Sequence, residues 1–450
     1  MVKNGCKMSS SAITKIQTIF ITAIMIVAAV AGASWYYLST STSQNRVKLT
    51  FWSMDTDTAS MNSFNTIARS FEASYPVNIT VVPVDWGVAQ TKVLAAVQAG
   101  NPPDVSVAGM GWALLYMKMG ALVDLDQVVQ DIGGTSQFLS PSMLYENQWN
   151  GHMWGITYVS YPNILLYRKD WLATKNLTVP TTWAEFENVC QALTGNGRYA
   201  YAQPVADMNG HKAIWCWMMT DNATIFDKDN NVAFDTARTV ETFDWLSNIM
   251  KNYSPPGIAS YGFSEDDLAF KNGQVGIIWG YGEMLTDYAK NFPNLMPNVG
   301  VMDFPMKTQL GGQIGNENLV AFNTSDPERI KYSRMFIEFI LKPENIVGTY
   351  LKNGVLEAAF PSLKSLSTSS EYSTLTAASP WNSTINYIAT QIMPHETTMS
   401  MAFQGNLYAG QIEGNGILQK VMEHILVDDW TAQKAVTDGQ DIFKTLVASG

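Results

Sequence analysis

Four stretches of the chain hold side chains suited to gripping a small polar molecule. Asp55 sits in a polar loop, Ser53 to Ser60, where a carboxylate can accept two hydrogen bonds from ligand hydroxyls. Trp86 opens a second such stretch. Trp112 follows Gly109-Met110-Gly111, and small residues let a ligand come close to the backbone. In Trp279-Gly280-Tyr281-Gly282 the rings alternate with glycine, a plausible stacking platform for a sugar. Each also has a plainer reading: Asp55 as a loop cap, Trp112 as a core residue opening a helix. The chain holds 14 Trp, 19 Tyr and 19 Phe against 28 Lys and Arg together. Such amphipathic rings suit sugars, whose C–H faces stack while their hydroxyls hydrogen-bond.

Catalytic patterns are missing from the sequence. It has no phosphate-binding Gly-x-x-x-x-Gly-Lys-Ser/Thr loop, no Gly-x-Ser-x-Gly elbow and no His-Glu-x-x-His. Asp227, Asp229 and Asn231 begin like a calcium loop. The pattern fails at Val232, where glycine is required, and at Arg238, where the bidentate glutamate belongs, so a surface turn is expected. No metal and no cofactor is expected. An anchored glycosidase would need two carboxylates about 5–9.5 Å apart, and no catalytic motif points to one.

At 450 residues the chain is long enough for two or three domains. A net charge of −11 argues against nucleic acid as a partner. Cys6, Cys190 and Cys216 lack metal-ligand spacing. Cys190 and Cys216 are read as two separate buried thiols, with a disulfide between them as the alternative.

The N-terminus sets the compartment. Lys3, Lys7 and Lys15 precede an uncharged run from Ile16 to Leu38, closed by Trp35, Tyr36 and Tyr37. A span of that length with lysines on its N-terminal side predicts a transmembrane helix with the remainder of the chain outside. A signal peptide cleaved near Ala31-Gly32-Ala33 is the competing version. Cys6 precedes the apolar run, which disfavours a lipoprotein. Residues 1–38 are thus expected to form an anchor and 39–45, rich in Ser and Thr, a stalk. Sequons at Asn78, Asn176, Asn222, Asn252, Asn323 and Asn382 fit a glycosylated surface protein.

Beyond the stalk, Val47 to Trp52 alternates as a strand does. Met61, Phe64, Ala68 and Phe71 have helical spacing and predict a helix ending near Tyr75-Pro76. Asn78 to Val84 reads as a second strand. A helix through Val93, Leu94 and Val97 stops at Gly100, and Asp104 to Ala108 is a third strand. Strand–helix–strand–helix–strand predicts a parallel sheet with helices on its faces. Ligands bind such sheets beyond the carboxyl ends of the strands, which places the loops from Ser53, Asp85 and Gly109 at one rim.

These segments carry a family resemblance. Ala95 to Val105, ending in Gly100-Asn101-Pro102-Pro103-Asp104-Val105, resembles a signature of extracellular solute-binding protein family 1, which includes the maltose-binding proteins. Further landmarks follow in order. Asn150 to Tyr158, Leu165 to Leu172 and Val179 to Phe186 resemble successive family blocks, with Arg168 where an asparagine is usual. Phe270 to Ile277 resembles a later one. Ser325 to Leu341 resembles the late helix, and its Ser325/Glu328 pair has capping-box spacing. The ordered set extends from about residue 47 to 450.

The resemblance implies an α/β fold of two lobes, joined by crossing segments, with ligand held in the cleft and hinge closure around it. Lobe 1 would hold 46–160 and 315–362, and lobe 2 would hold 163–312 and 365–450. It also implies further contacts: Tyr158 and Tyr161 at the first crossing, Gln203 in the second lobe beside the Trp279 and Tyr281 read from their own pattern, and Asn316 and Glu317 at the return crossing. Tyr161 stands where the maltose binders carry a carboxylate, which sets maltodextrin in doubt. The implied protein is a monomeric, non-enzymatic binding subunit of an ABC importer, outside the membrane. It would take a carbohydrate and deliver it to permease subunits and their ATPase. A polyamine is the alternative ligand, held by Asp55, Asp57, Glu283 and Glu317.

Overall fold

Alternating burial along Val47–Ser53 makes this segment a strand with one covered face. The computed structural model that contains it describes residues 46–353, 355–398 and 406–449. The expected anchor and stalk, with Cys6, lie outside the described residues. Among the described residues, no helix is long and apolar enough to cross a membrane.

The first half of the chain runs β1 (Val47–Ser53), α1 (Thr58–Ser74), β2 (Val77–Pro83), α2 (Trp86–Gln98), β3 (Val105–Ala108), α3 (Trp112–Lys118), β4 (Ile156–Pro162), β5 (Ile164–Arg168), α4 (Trp183–Leu193), β6 (Tyr199–Ala202) and α5 (Asn209–Thr220). Then come α6 (Ala237–Tyr253), α7 (Phe263–Lys271), β7 (Val275–Gly280), α8 (Glu283–Asn291), β8 (Val299–Met302) and β9 (Gly312–Ala321). Last are α9 (Pro327–Ile340), β10 (Phe360–Pro361), β11 (Glu396–Thr397), α10 (Ala409–Asn415), α11 (Ile417–Leu426) and α12 (Ala432–Ser449).

Two large sheets organise these elements, one in each lobe. The seven-stranded sheet has the order β10-β4-β9-β3-β1-β2, with β11 added beside β9. The four-stranded sheet has the order β8-β5-β7-β6. Only Asn163 separates β4 in the first sheet from β5 in the second. Its backbone N–H donates to Gln313 O at 3.0 Å and to Glu396 Oε1 at 3.1 Å, which ties the crossing to β9 and β11.

The predicted strands and helices from residue 47 to 108 form, but the sheet is mixed rather than parallel. β1 pairs parallel with β2 and β3, whereas β9 runs antiparallel to both β3 and β4. The reason lies in connectivity: β9 returns from the other lobe and enters from the opposite end. The signature Asp104 has a structural task. Buried completely, it accepts from Thr50 N at 2.7 Å and takes a two-pronged bond from Arg329, at 2.7 and 2.9 Å. That pair clamps β1 and β3 to α9.

Capping differs from expectation at one helix. Ser325 is not the cap of α9. Its φ is +60°, outside the helix, and Asp326 accepts from the Glu328 and Arg329 N–H groups while Pro327 occupies the first turn. A complete capping box instead opens α4, where Thr182 and Glu185 bond each other's backbone. Cys190 on α4 and Cys216 on α5 are both free and buried. Asp227 is a turn residue whose Oδ1 accepts from the N–H groups of Asp229 and Asn231, each at 2.9 Å.

Candidate ligand-binding site

A cavity of about 430 Å³ lies where the carboxyl ends of β1, β2 and β3 face the second sheet and its helices. That is enough for a small ligand. The loops after all three strands reach it, as the strand-end rule predicts: Asp55 from the first, Trp86 from the second, Trp112 from the third. Asp55 is half-buried and accepts three hydrogen bonds. Trp86 Nε1 donates to its Oδ1 at 3.2 Å, and the Tyr350 hydroxyl to its Oδ2 at 2.6 Å. Tyr158 reaches the same Oδ2 at 3.5 Å.

Glu317, from β9, stands beside Asp55. The Tyr158 hydroxyl donates to it, and Tyr161 meets Tyr350 at 3.2 Å. Phenols therefore orient two carboxylates that face one space. Burial pushes the Asp55 carboxyl up from its usual range, against the pull of its bonds from Tyr350 and Trp86. Burial, and then the Asp55 charge, push Glu317 well up.

A buried polar layer backs this wall. Glu146 is fully buried, and Asn318 Nδ2 donates to its Oε1 at 2.6 Å. Asn318 Oδ1 in turn accepts from Asn147 and Thr157, both at 2.7 Å. Burial raises the Glu146 pKa to about 8.

The facing wall is built differently. Lys212 and Asn209 come from the first turn of α5, Phe263 from the start of α7, and Tyr281 from the end of β7. Tyr281 donates to Asn209 Oδ1 at 3.3 Å. Burial works against the Lys212 charge, but Tyr281, Glu413 and Glu317 around it leave its pKa raised. Glu413, from α10, closes one end. The chain reaches that end because α10 lies against α3: Gly410 is so near Gly111 that a Cβ on Gly111 would meet Gly410 N at 2.7 Å.

Of the ten residues singled out from the sequence, seven line the cavity: Asp55, Trp86, Trp112, Tyr161, Tyr281, Asn316 and Glu317. Tyr158 is completely buried behind them and acts on the two carboxylates through its hydroxyl. Two stand elsewhere. Trp279 is fully buried within β7, a strand covered on both faces, with its ring 4.7 Å from Tyr281. It supports the ring that reaches the cavity. Gln203 is fully buried, and its Oε1 is taken by Tyr201 at 2.7 Å and Trp217 at 3.0 Å. The glycines before Trp112 also differ in use. A Cβ at Gly109 would come within 3.1 Å of the Trp112 ring, so Gly109 makes room for that ring. Sequence reasoning missed Lys212, Tyr350 and Glu413. All three sit on helical segments, where a rule about strand-end loops has no reach.

Residues 66–380 match the model of the bacterial extracellular solute-binding protein family, well over half of the 450-residue chain. The chain belongs to this family. Among its curated relatives is a putative binding protein of Brucella abortus, 24% identical over 286 residues. That match covers 60% of this chain and 66% of the relative, so the chain spans just under two thirds of that protein's length. The diacetylchitobiose binding protein of Streptomyces coelicolor is 27% identical over 321 residues, 68% of this chain and 72% of its own. Solved structures agree on the fold. The maltose-bound T. maritima MalE3 superposes with a TM-score of 0.73 at 17% identity, covering 89% of this solute-binding chain and 100% of that one. A sugar transporter from Arthrobacter chlorophenolicus with bound laminaribiose gives 0.74 at 19%, covering 89% and 99%. The two-lobe periplasmic-binding-protein fold is thus the fold of this solute-binding protein, and the relatives named here are binding proteins.

Proposed function

We propose that this protein is the extracellular substrate-binding subunit of an ABC importer, and that it captures a mono- or oligosaccharide between its lobes. The observation that carries this reading is the cavity itself. Tryptophan and tyrosine rings share it with carboxylates already oriented by phenols. Rings stack on the C–H faces of a sugar, and fixed carboxylates accept its hydroxyls. Asp55, Trp86, Trp112, Tyr161, Tyr281, Asn316 and Glu317 are the proposed contacts, with Tyr158 positioning the carboxylates. Lobe limits of 46–160 with 315–362, and 163–312 with 365–450, belong to the same reading.

An apolar anchor at 16–38 and the stalk at 39–45 would hold the binder at the membrane and raise its effective concentration at the permease. All six sequon asparagines, from Asn78 to Asn382, are exposed, which supports glycan attachment. A thermal-shift screen of residues 46–450 against mono- and oligosaccharides, sugar phosphates and polyamines tests the ligand class. Ligand at a hundred times its Kd stabilises the folded state by about 2.7 kcal/mol. A rise with sugars supports the reading, and a rise with sugar phosphate alone overturns it. Deleting residues 1–38 is expected to leave affinity intact and weaken uptake by cells.

One observation favours a second reading. Among the described residues Lys212 is the single basic residue on the cavity wall, against five carboxyl groups, and such a balance suits an amine solute such as a polyamine.

A further inference from the structure

The charge of the cavity wall is lopsided in a way that a neutral sugar leaves unanswered. Asp55, Asp57, Glu283, Glu317 and Glu413 line it. Asp57 is occupied elsewhere: it caps α1, its Oδ1 accepting from the Ala59 and Ser60 N–H groups. Four carboxyl groups remain, facing the ammonium of Lys212, the one basic group on the wall among the described residues.

Glu413 is an independent sign of a missing partner. It is 7% exposed, and its Oε2 finds no hydrogen-bond partner among the described residues. An orphaned buried carboxylate oxygen costs several times more than a paired one. The Trp112 indole N–H beside it pulls the Glu413 pKa down, against the burial that raises it. Behind the wall, the buried Glu146 adds no positive charge. The same cavity presents the faces of Trp86, Trp112 and Tyr281, and aromatic faces attract cations.

A neutral ligand that filled this space would expel water and drive these carboxyls further toward their protonated forms, whereas a cation would let them ionise. An organic ammonium is such a cation. A bare polyamine would satisfy the charge and the ring faces but carries no acceptor for the Asn316 amide N–H. We propose that the solute is an amine-bearing carbohydrate, a protonated amino sugar or an oligosaccharide of such units, whose ammonium faces Asp55 and Glu317 while Glu413 Oε2 accepts from it or from a hydroxyl. This rests on the carbohydrate reading above and narrows it.

The test is isothermal titration of the full-length chain at pH 6.5 with matched probes: glucosamine and its β-1,4 dimer, N-acetylglucosamine and its dimer, cellobiose, and spermidine. The amine dimer is expected to bind at least tenfold tighter than the N-acetylated dimer and cellobiose. Glu317→Gln is expected to bring that ratio close to one, with circular dichroism confirming the fold. The ratio is the decisive readout, because a purely structural role for Glu317 would weaken every ligand alike. Equal or tighter binding of the N-acetylated dimer or cellobiose overturns the amine inference and leaves the sugar reading standing. Binding of spermidine with no heat from any sugar overturns both. An unchanged ratio in Glu317→Gln, in a folded variant, removes the assigned role of that carboxylate.

Discussion

The two walls of the cavity rest on different foundations. Behind Asp55 and Glu317 lies a polar layer, in which Glu146, Asn147, Thr157 and Asn318 bond one another with no exposure to water. Behind Tyr281 and Lys212 lies an aromatic layer. Trp217 sits edge-on to Phe304, with ring centroids 5.2 Å apart, and close to Phe186 at 5.1 Å, and Trp279 supports Tyr281. Hydrogen bonds are directional and fix a side chain's position; ring packing fixes volume and tolerates small slides. The first wall is therefore the preorganised one, and the second is the more adjustable.

That contrast can be broken where it should show most. Glu146→Gln is expected to change how stability depends on pH. The folded pKa of about 8 stands above the ordinary glutamate value of 4.5, so the folded state holds the extra proton between these limits. Stability from this group is then complete below pH 4.5 and is lost as pH rises toward 8, by up to about 5 kcal/mol. The variant should make the fall in unfolding free energy from pH 5 to 8 less steep, with buried Glu317 and Glu396, whose carboxyls are also pushed up, keeping their share. Trp217→Ala should cost about 3–5 kcal/mol through the cavity it leaves, equally at both pH values. If its cost varies with pH as strongly as that of the Glu146 site, the two layers do not differ as described.

Within the walls the expected effects are smaller. Asp55→Ala strips the acceptor from Tyr350 and Trp86 and should weaken ligand binding about a hundredfold, or roughly 3 kcal/mol, by titration calorimetry. Lys212→Met, on the adjustable wall, should shift neutral-sugar affinity less than about tenfold. On the amine inference it should tighten an amino sugar. A hundredfold loss in Lys212→Met would reverse the order of the two walls.

Much of this architecture was legible in the residues. Spacing of Met61, Phe64, Ala68 and Phe71 gives α1, whose buried face includes Phe64, Ala68 and Phe71. The strand-end rule found Asp55, Trp86 and Trp112 because their loops leave adjacent parallel strands. The antiparallel insertion of β9 was not legible, since a local pattern says nothing about the end from which a returning strand enters. Trp279 was misplaced for a related reason: a strand covered on both faces shows no alternation that tells core from cavity. Lys212, Tyr350 and Glu413 reach the site through long-range packing of helical segments, and no spacing in the chain announces that.

The position of β9 has a consequence for how the protein assembles. This strand, residues 312–321, lies in the middle of the first sheet, between β3 and β4. All four strands of the second sheet precede it in the chain. During synthesis, the second sheet can therefore be complete while the first remains split at its centre, awaiting a strand that begins more than 200 residues after β3 ends. Pairings so distant in sequence form slowly. The half-built lobe would meanwhile expose unpaired edges on β3 and β4, the kind of edge that recruits other chains. The interval before β9 docks is when this protein is most exposed to aggregation, and it ends with the same strand that carries Asn316 and Glu317 to the cavity.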